Sequence, residues 1–236
     1  MPADRERRPR AVVLLSGGVD SATTLALAIE RGFETHALTV RYGQRHAIEV
    51  DRARTLARQL GAASHRTMTL DLSHLSGSAL TDAATAVPKN RTADRIGAGI
   101  PTTYVPARNL LFLTLALGWG EVLEARDLFI GANAVDYSGY PDCRPDFLRA
   151  FEQVACLATK AGVEGAGFRI HAPLVDWSKA RIILEARRLG VDLGSTLSCY
   201  DPGPRGEVCG GCDSCLVRAK GFREAGLQDP AKSLEA

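Results

Sequence analysis

Two groups of residues in this chain have the types and spacing that chemistry needs. The first is Ser16-Gly17-Gly18-Val19-Asp20-Ser21. Adjacent glycines let a backbone turn tightly and come close to a ligand. Asp20 or Ser21 is placed to cap a helix over residues 22–30, which ends before Gly32. A glycine turn feeding a helix N-terminus aims unpaired N–H groups at one spot, an anion site suited to phosphate. The second group is Cys199, Cys209, Cys212 and Cys215. Overlapping C-x-x-C steps and one more distant cysteine offer four thiolates, the number zinc takes tetrahedrally in closed structural sites. Gly210 and Gly211 allow the tight knuckle, and Asp213 or Ser214 can cap a helix around residues 216–223. An iron–sulfur cluster or a redox dithiol would use the same residue type, but the spacing favours zinc. Cys156 reads as a small buried helix residue, and Cys143 has no role assigned.

The glycine turn needs a strand before it. Ala11–Leu15 is a continuous apolar run, as expected of a strand buried on both faces of a parallel sheet. Further strands are expected at 35–40, 66–70, 127–131 and 169–172. Helices are expected at 47–60, 109–123, 145–160 and 178–189, with Asn109 and Ser178 as starts and Gly61 and Gly190 as stops. Residues 73–100 are polar, broken by glycine and proline, and read as a long loop or lid over a site. Strands alternating with helices imply an α/β fold with a doubly wound, mostly parallel sheet. Ligands of such sheets sit beyond the carboxyl ends of the strands. That rule directs attention to residues 16–21, 41–46, 131–144 and the segment from 173 onward.

The chain of 236 residues, with net charge +2, has room for one large core. The expected organisation is a basic tail over 1–10, an α/β domain over 11–190, and a small zinc-binding lobe over 191–236 packed on it. The charge is too mild to argue for nucleic acid. The apolar run at the N-terminus is interrupted by Ser16, Gly17, Gly18, Asp20 and Ser21, so neither a signal peptide nor a membrane span is expected. A cytoplasmic protein with reduced cysteines is the expectation.

Neither G-x-x-x-x-G-K-[ST] nor G-x-G-x-x-G fits the turn. S-G-G-x-D-S instead resembles the pyrophosphate loop of the N-type ATP pyrophosphatases, which split ATP between its α and β phosphates and pass AMP to a substrate oxygen. The resemblance implies an adenine nucleotide alpha hydrolase-like fold. It also implies that Leu15, Ser16, Gly17, Gly18, Val19, Asp20, Ser21, Ala22, Thr23, Thr24 and Leu25 wrap the pyrophosphate. Four more stretches narrow it: Y-G-Q-R-H at 42–46, T-Y-V-P-A-R-N at 103–109, N-A-V-D-Y-S-G-Y-P-D-C-R at 133–144, and S-C-Y-D-P with C-G-G-C-D-S-C at the C-terminus. With these the chain resembles the 7-cyano-7-deazaguanine synthase family of queuosine biosynthesis over nearly its whole length.

The resemblance implies that ATP adenylates the carboxylate of 7-carboxy-7-deazaguanine, that ammonia displaces AMP to give an amide, and that a second ATP drives loss of the amide oxygen to give the nitrile. It implies Mg²⁺ as well as Zn²⁺, and a homodimer. In this reading Asp20 and Ser21 belong to the catalytic loop, Asp20 helping to place Mg²⁺. Arg45, Arg108 and Lys179 are cations for phosphate or carboxylate, each with an ordinary alternative as a surface charge. Tyr104, Tyr137 and Tyr140 stack on the deazaguanine or simply pack in the core. Asp136 or Asp142 accepts from its guanine-like N–H groups, with Arg144 close by. Rival expectations are a tRNA-thiolating relative, an enzyme acting on a different carboxylate, and a zinc-containing nucleic-acid module. The last leaves the glycine loop unexplained, and the mild charge weighs against tRNA.

Overall fold

A computed structural model describes residues 8–44, 48–72, 77–82, 84–96, 99–133 and 140–231. Arg45, Asp136 and Tyr137 lie outside the described residues. Five strands form one sheet: β1 (Arg10–Leu14), β2 (Glu34–Arg41), β3 (Ser64–Thr69), β4 (Asp127–Phe129) and β5 (Arg169–His171). Their order is β3-β2-β1-β4-β5 and every pairing is parallel. The helices are α1 (Val19–Glu30), α2 (Ile48–Leu60), α3 (Ala93–Ile96), α4 (Arg108–Leu123), α5 (Pro145–Ala158), α6 (Lys160–Val163), α7 (Lys179–Arg188) and α8 (Asp213–Glu224).

The strand side chains alternate between two covering layers, as the pleat requires. Val12, Leu14, Leu38, Leu128 and Ile130 pack with Leu113, Leu117 and Phe151 of α4 and α5. Ala11, Val13, Ala37 and Phe129 face Leu25 of α1 and Ala53 and Ala57 of α2. The α/β doubly wound expectation is met. The strand order turns back between β1 and β4, and a crevice opens there beyond their carboxyl ends. The C-terminal part is not separate from the core. Val191 and Phe222 share a buried cluster with Val19, Ala22, Ala26, Ile182 and Ile183.

Several local expectations are corrected. Helix α1 begins at Val19 with Gly18 as its N-cap and no side-chain cap. The Ser21 hydroxyl instead donates to Gly18 O at 3.0 Å and accepts from Ser16 N at 3.1 Å, bracing the turn across itself. Helix α4 starts from Ala107 in the left-handed region at φ 55°, not from an Asn109 cap. The Asn109 amide donates to Asp142 O and Cys143 Sγ. Helix α8 starts at Asp213 with Cys212 as its N-cap and no side-chain cap, because the Asp213 carboxylate is engaged by Arg91. Ser178 does cap α7, accepting from Arg181 N at 3.3 Å.

The segment read as a lid is fastened to the cysteine region through its described residues. Ala79 and Val87 are buried against Leu197, Cys199, Cys212 and Cys215. Asn90 N donates to Gly211 O at 2.7 Å, and Lys89 pairs with Asp201 at 2.9 Å. Among the described residues no helix is long and apolar enough to cross a membrane.

Candidate active site

The glycine turn lies at the sheet's switch point. Gly17 has φ +88°, and a Cβ there would stand 2.6 Å from the backbone oxygen of Glu49. Only glycine satisfies both the left-handed conformation and this approach of α2. Leu197 N donates to Gly17 O at 2.9 Å, so the C-terminal segment docks on the turn from another side. The first intrahelical bond runs from Ala22 N to Gly18 O. The N–H groups of Val19, Asp20 and Ser21 therefore have no intrahelical acceptor and remain available to an anion at the positive end of a twelve-residue helix.

These groups open into a cavity of about 240 Å³. Its walls join the turn to the ends of β2 and β4, to α4 through Arg108 and Phe112, and to the cysteine segment through Ser198, Cys199 and Tyr200. Of the residues singled out from sequence, Leu15, Ser16, Gly18, Val19, Asp20, Ser21, Arg108, Tyr140, Lys179 and Cys199 line it. Gly17, Ala22, Thr23, Thr24 and Leu25 do not; the last four are buried on α1, where the two threonine hydroxyls bond back to Val19 O and Asp20 O.

Lys179 is a buried residue, 5% exposed, rather than a surface charge. Its Nζ donates to both carboxylate oxygens of Asp20 at 2.7 Å. Burial of a cation needs such a partner. The stem of Lys179 passes α8 at Gly221, where a Cβ would stand 2.4 Å from Lys179 Cγ. Arg108 sits over the ring of Tyr42, 5.7 Å from its centroid, and donates to the Tyr42 hydroxyl at 3.2 Å.

The other candidate substrate residues are mostly structural in this arrangement. Tyr140 is buried, with its hydroxyl 3.0 Å from Thr103 Oγ1. Tyr104 lies behind it, ring centroids 5.9 Å apart, and its hydroxyl accepts from Ala107 N. Asp142 accepts from Asn109 N at 2.9 Å and so caps α4. Arg144 is exposed and does not line the cavity.

Sequence reasoning passed over Glu49, Thr39, Asn133 and Arg218. Glu49 is half-buried on the cavity wall, and burial pushes its carboxyl up to about 7, with the nearby Arg108 charge opposing. Thr39 donates to Leu15 O at 2.7 Å, and Asn133 ties the end of β4 to Leu174 O and Trp177 O. Arg218 makes a buried fork onto Asp229, both bonds 2.9 Å, and also bonds Thr196 and Leu193 O. Only Asn133, within 131–144, and Arg218, within the segment from 173 onward, carried any positional signal; Glu49 lies just past the stretch 41–46.

The four cysteine ligand atoms lie within 4.8 Å of one another. Backbone N–H groups of Tyr200, Asp201, Cys209 and Cys212 point at the sulfurs at 3.3–3.4 Å. Donors aimed at sulfur favour thiolates, and four thiolates so grouped fit a structural zinc ion.

Over residues 10–226 the chain matches the family described as queuosine biosynthesis protein QueC. The 7-cyano-7-deazaguanine synthase of Myxococcus xanthus is 58% identical, covering 96% of this chain and 98% of its own. That of Anaeromyxobacter sp. is 61% identical, covering 95% and 97%. Among solved structures, NMN synthetase from Francisella tularensis aligns with TM-score 0.49 and 18% identity, over 97% of this chain and 82% of that one. Identity of this order, end to end and across both the glycine turn and the cysteine cluster, means that the chain belongs to the QueC family of queuosine biosynthesis, the family of its 7-cyano-7-deazaguanine synthase relatives, and is an enzyme.

Proposed function

We propose that this chain is an ATP-dependent C–N ligase that converts 7-carboxy-7-deazaguanine and ammonia to 7-cyano-7-deazaguanine. The observation that carries the reading is the cavity at the switch point, walled by the glycine turn in a chain 58% identical to a synthase of that name. A carboxylate is a poor electrophile whose oxygen cannot leave until it is attached to a phosphate. The free N–H groups of Val19, Asp20 and Ser21 are preorganised donors for the pyrophosphate that leaves as the carboxylate is adenylated. Asp20 would hold Mg²⁺ beside the phosphates, where the ion supplies further positive charge. Lys179 fixes the Asp20 carboxylate and brings its own charge to the same spot. Arg108, a planar donor, receives the substrate carboxylate, with the deazaguanine against Tyr140 and Phe112. Tyr104 acts only through Tyr140, Asp142 keeps the start of α4 in place, and Arg144 stays in solvent. Arg45, Asp136 and Tyr137 remain proposals from the family resemblance.

Zinc on Cys199, Cys209, Cys212 and Cys215 braces the wall that carries Ser198 and Tyr200. Reduced ligand cysteines suit the cytoplasm, and a homodimer follows from the resemblance. Mass spectrometry of zinc-loaded protein with 7-carboxy-7-deazaguanine, ATP, Mg²⁺ and ammonium tests the whole reading. Amide and then nitrile should accumulate with release of AMP. Absence of both from folded protein would reject the substrate assignment.

A further inference from the structure

Among the described residues two carboxylates line the cavity, Asp20 and Glu49. Both oxygens of Asp20 accept from Lys179 Nζ, and this carboxylate is the one assigned above to Mg²⁺. No hydrogen bond or ion pair among the described residues engages the Glu49 carboxylate. The backbone that carries it is fixed beside the turn, because the carbonyl oxygen of Glu49 is the atom against which Gly17 packs. The acidic side chain therefore enters the cavity from the first turn of α2, beside the glycine turn. Arg108 on α4 and Tyr42 after β2 line the same cavity, and both interact electrostatically with Glu49.

Nitrogen incorporation needs a proton acceptor at this place. The nitrogen lone pair forms the C–N bond at the activated carbon, and the C–O bond to AMP breaks with its electron pair leaving on the phosphate oxygen. One N–H proton must then go elsewhere. Arg108 and Lys179 are cations without acceptor capacity. Burial raises the Tyr42 hydroxyl and takes the Cys143 thiol to about 12, so both keep their protons at neutral pH.

Resting on the ligase reading above, we infer that Glu49 is the general base that accepts the proton from the incoming nitrogen. Its position near neutrality suits a base better than an ordinary carboxylate would.

The test is Glu49→Gln in the zinc-loaded full chain, read by two assays. The first is exchange of labelled pyrophosphate into ATP with 7-carboxy-7-deazaguanine and no ammonia, which reports adenylation alone. The second is single-turnover amide formation at fixed free ammonia from pH 5.5 to 9. Amide formation should fall by about 10²-fold or more while exchange is far less affected, because a general base contributes about 10²–10⁴-fold to its own step. The wild-type rate should rise as pH climbs through about 7, where Glu49 ionises, and the variant should lose that limb. Glu49→Asp should restore part of the rate. Wild-type amide formation in Glu49→Gln, or equal loss of exchange and amide formation, would overturn the assignment. Absence of exchange in the wild type would instead overturn the ligase reading, and with it this one.

Discussion

Substituting alanine for Gly221 opposes two effects whose sizes can be compared. In a helix interior alanine is favoured over glycine by about 0.5–1 kcal/mol. At Gly221, however, the new methyl would stand 2.4 Å from Lys179 Cγ, 2.8 Å from Lys179 Cβ and 2.9 Å from Ile183 Cδ1. Lys179 Cβ is fixed by the backbone of α7, Lys179 Cγ can move only by a change of rotamer, and Ile183 is wholly buried. Either α7 and α8 separate or Lys179 leaves its rotamer and releases Asp20. Overpacking of this kind costs about 1–3 kcal/mol. The net expectation is a loss of up to about 2.5 kcal/mol, or up to roughly 10 °C in Tm for a chain of this size. Turnover should fall with it, because Asp20 and Lys179 no longer hold each other. Gly118 on α4 provides the control: a Cβ there meets nothing within 4 Å, so Gly118→Ala should stabilise by about 0.5–1 kcal/mol. Urea unfolding of both variants, with steady-state AMP release, measures the contrast. Equal stabilisation by the two substitutions, with full activity in Gly221→Ala, would refute the idea that Gly221 makes room for Lys179.

Three further outcomes are expected. Cys212→Ser should leave purified protein with substoichiometric zinc and lower stability, read by metal analysis and thermal unfolding; one zinc retained per chain would remove Cys212 from the ligand set. Asp20→Asn keeps the shape but leaves Lys179 opposite a neutral partner, so turnover should drop by about 10²-fold or more as the site loses its alignment. Unchanged turnover would count against Asp20. Glu49→Gln should also change stability with pH. The folded carboxyl titrates near 7 instead of 4.5, so between those values the native state holds a proton that the unfolded chain has lost, and stability falls as pH rises. Removing the charge should therefore stabilise by about 1–3 kcal/mol above pH 7 and by little below pH 4.5. A difference independent of pH would show that Glu49 ionises normally.

Strand β1 was legible because burial on both faces leaves an unbroken apolar run, Ala11–Leu15. The glycine turn was legible because its backbone conformation excludes other residues. The same local signals found the start of α7 at Ser178 but misplaced the caps of α1 and α8. Ser21 looked like a cap, but its hydroxyl is drawn into the turn by Ser16, and Asp213 is drawn away by Arg91 from 122 positions earlier. Lys179 could be read as a surface charge at a helix start, since nothing nearby in sequence announces that Asp20 waits 159 residues away. Glu49 sits in an amphipathic helix whose charged residues ordinarily face water. It lines the cavity because the glycine turn packs on that end of α2. Gly221 carries no signal in the sequence, and the path of the Lys179 stem is what its missing side chain makes room for.

The bonds between distant segments also set a timetable. The five strands and the glycine turn are complete once residue 171 has been made. The cavity is not, because Leu197, Cys199 and Tyr200 form one of its walls, and Arg218 and Asp229 lock that wall in place. Ala79, Val87 and Arg91 must wait for Cys212 and Asp213 before they can settle. A nascent chain on the ribosome thus acquires its sheet early and its binding site last. A chain cut short after β5 would carry the glycine turn without the chamber that surrounds it.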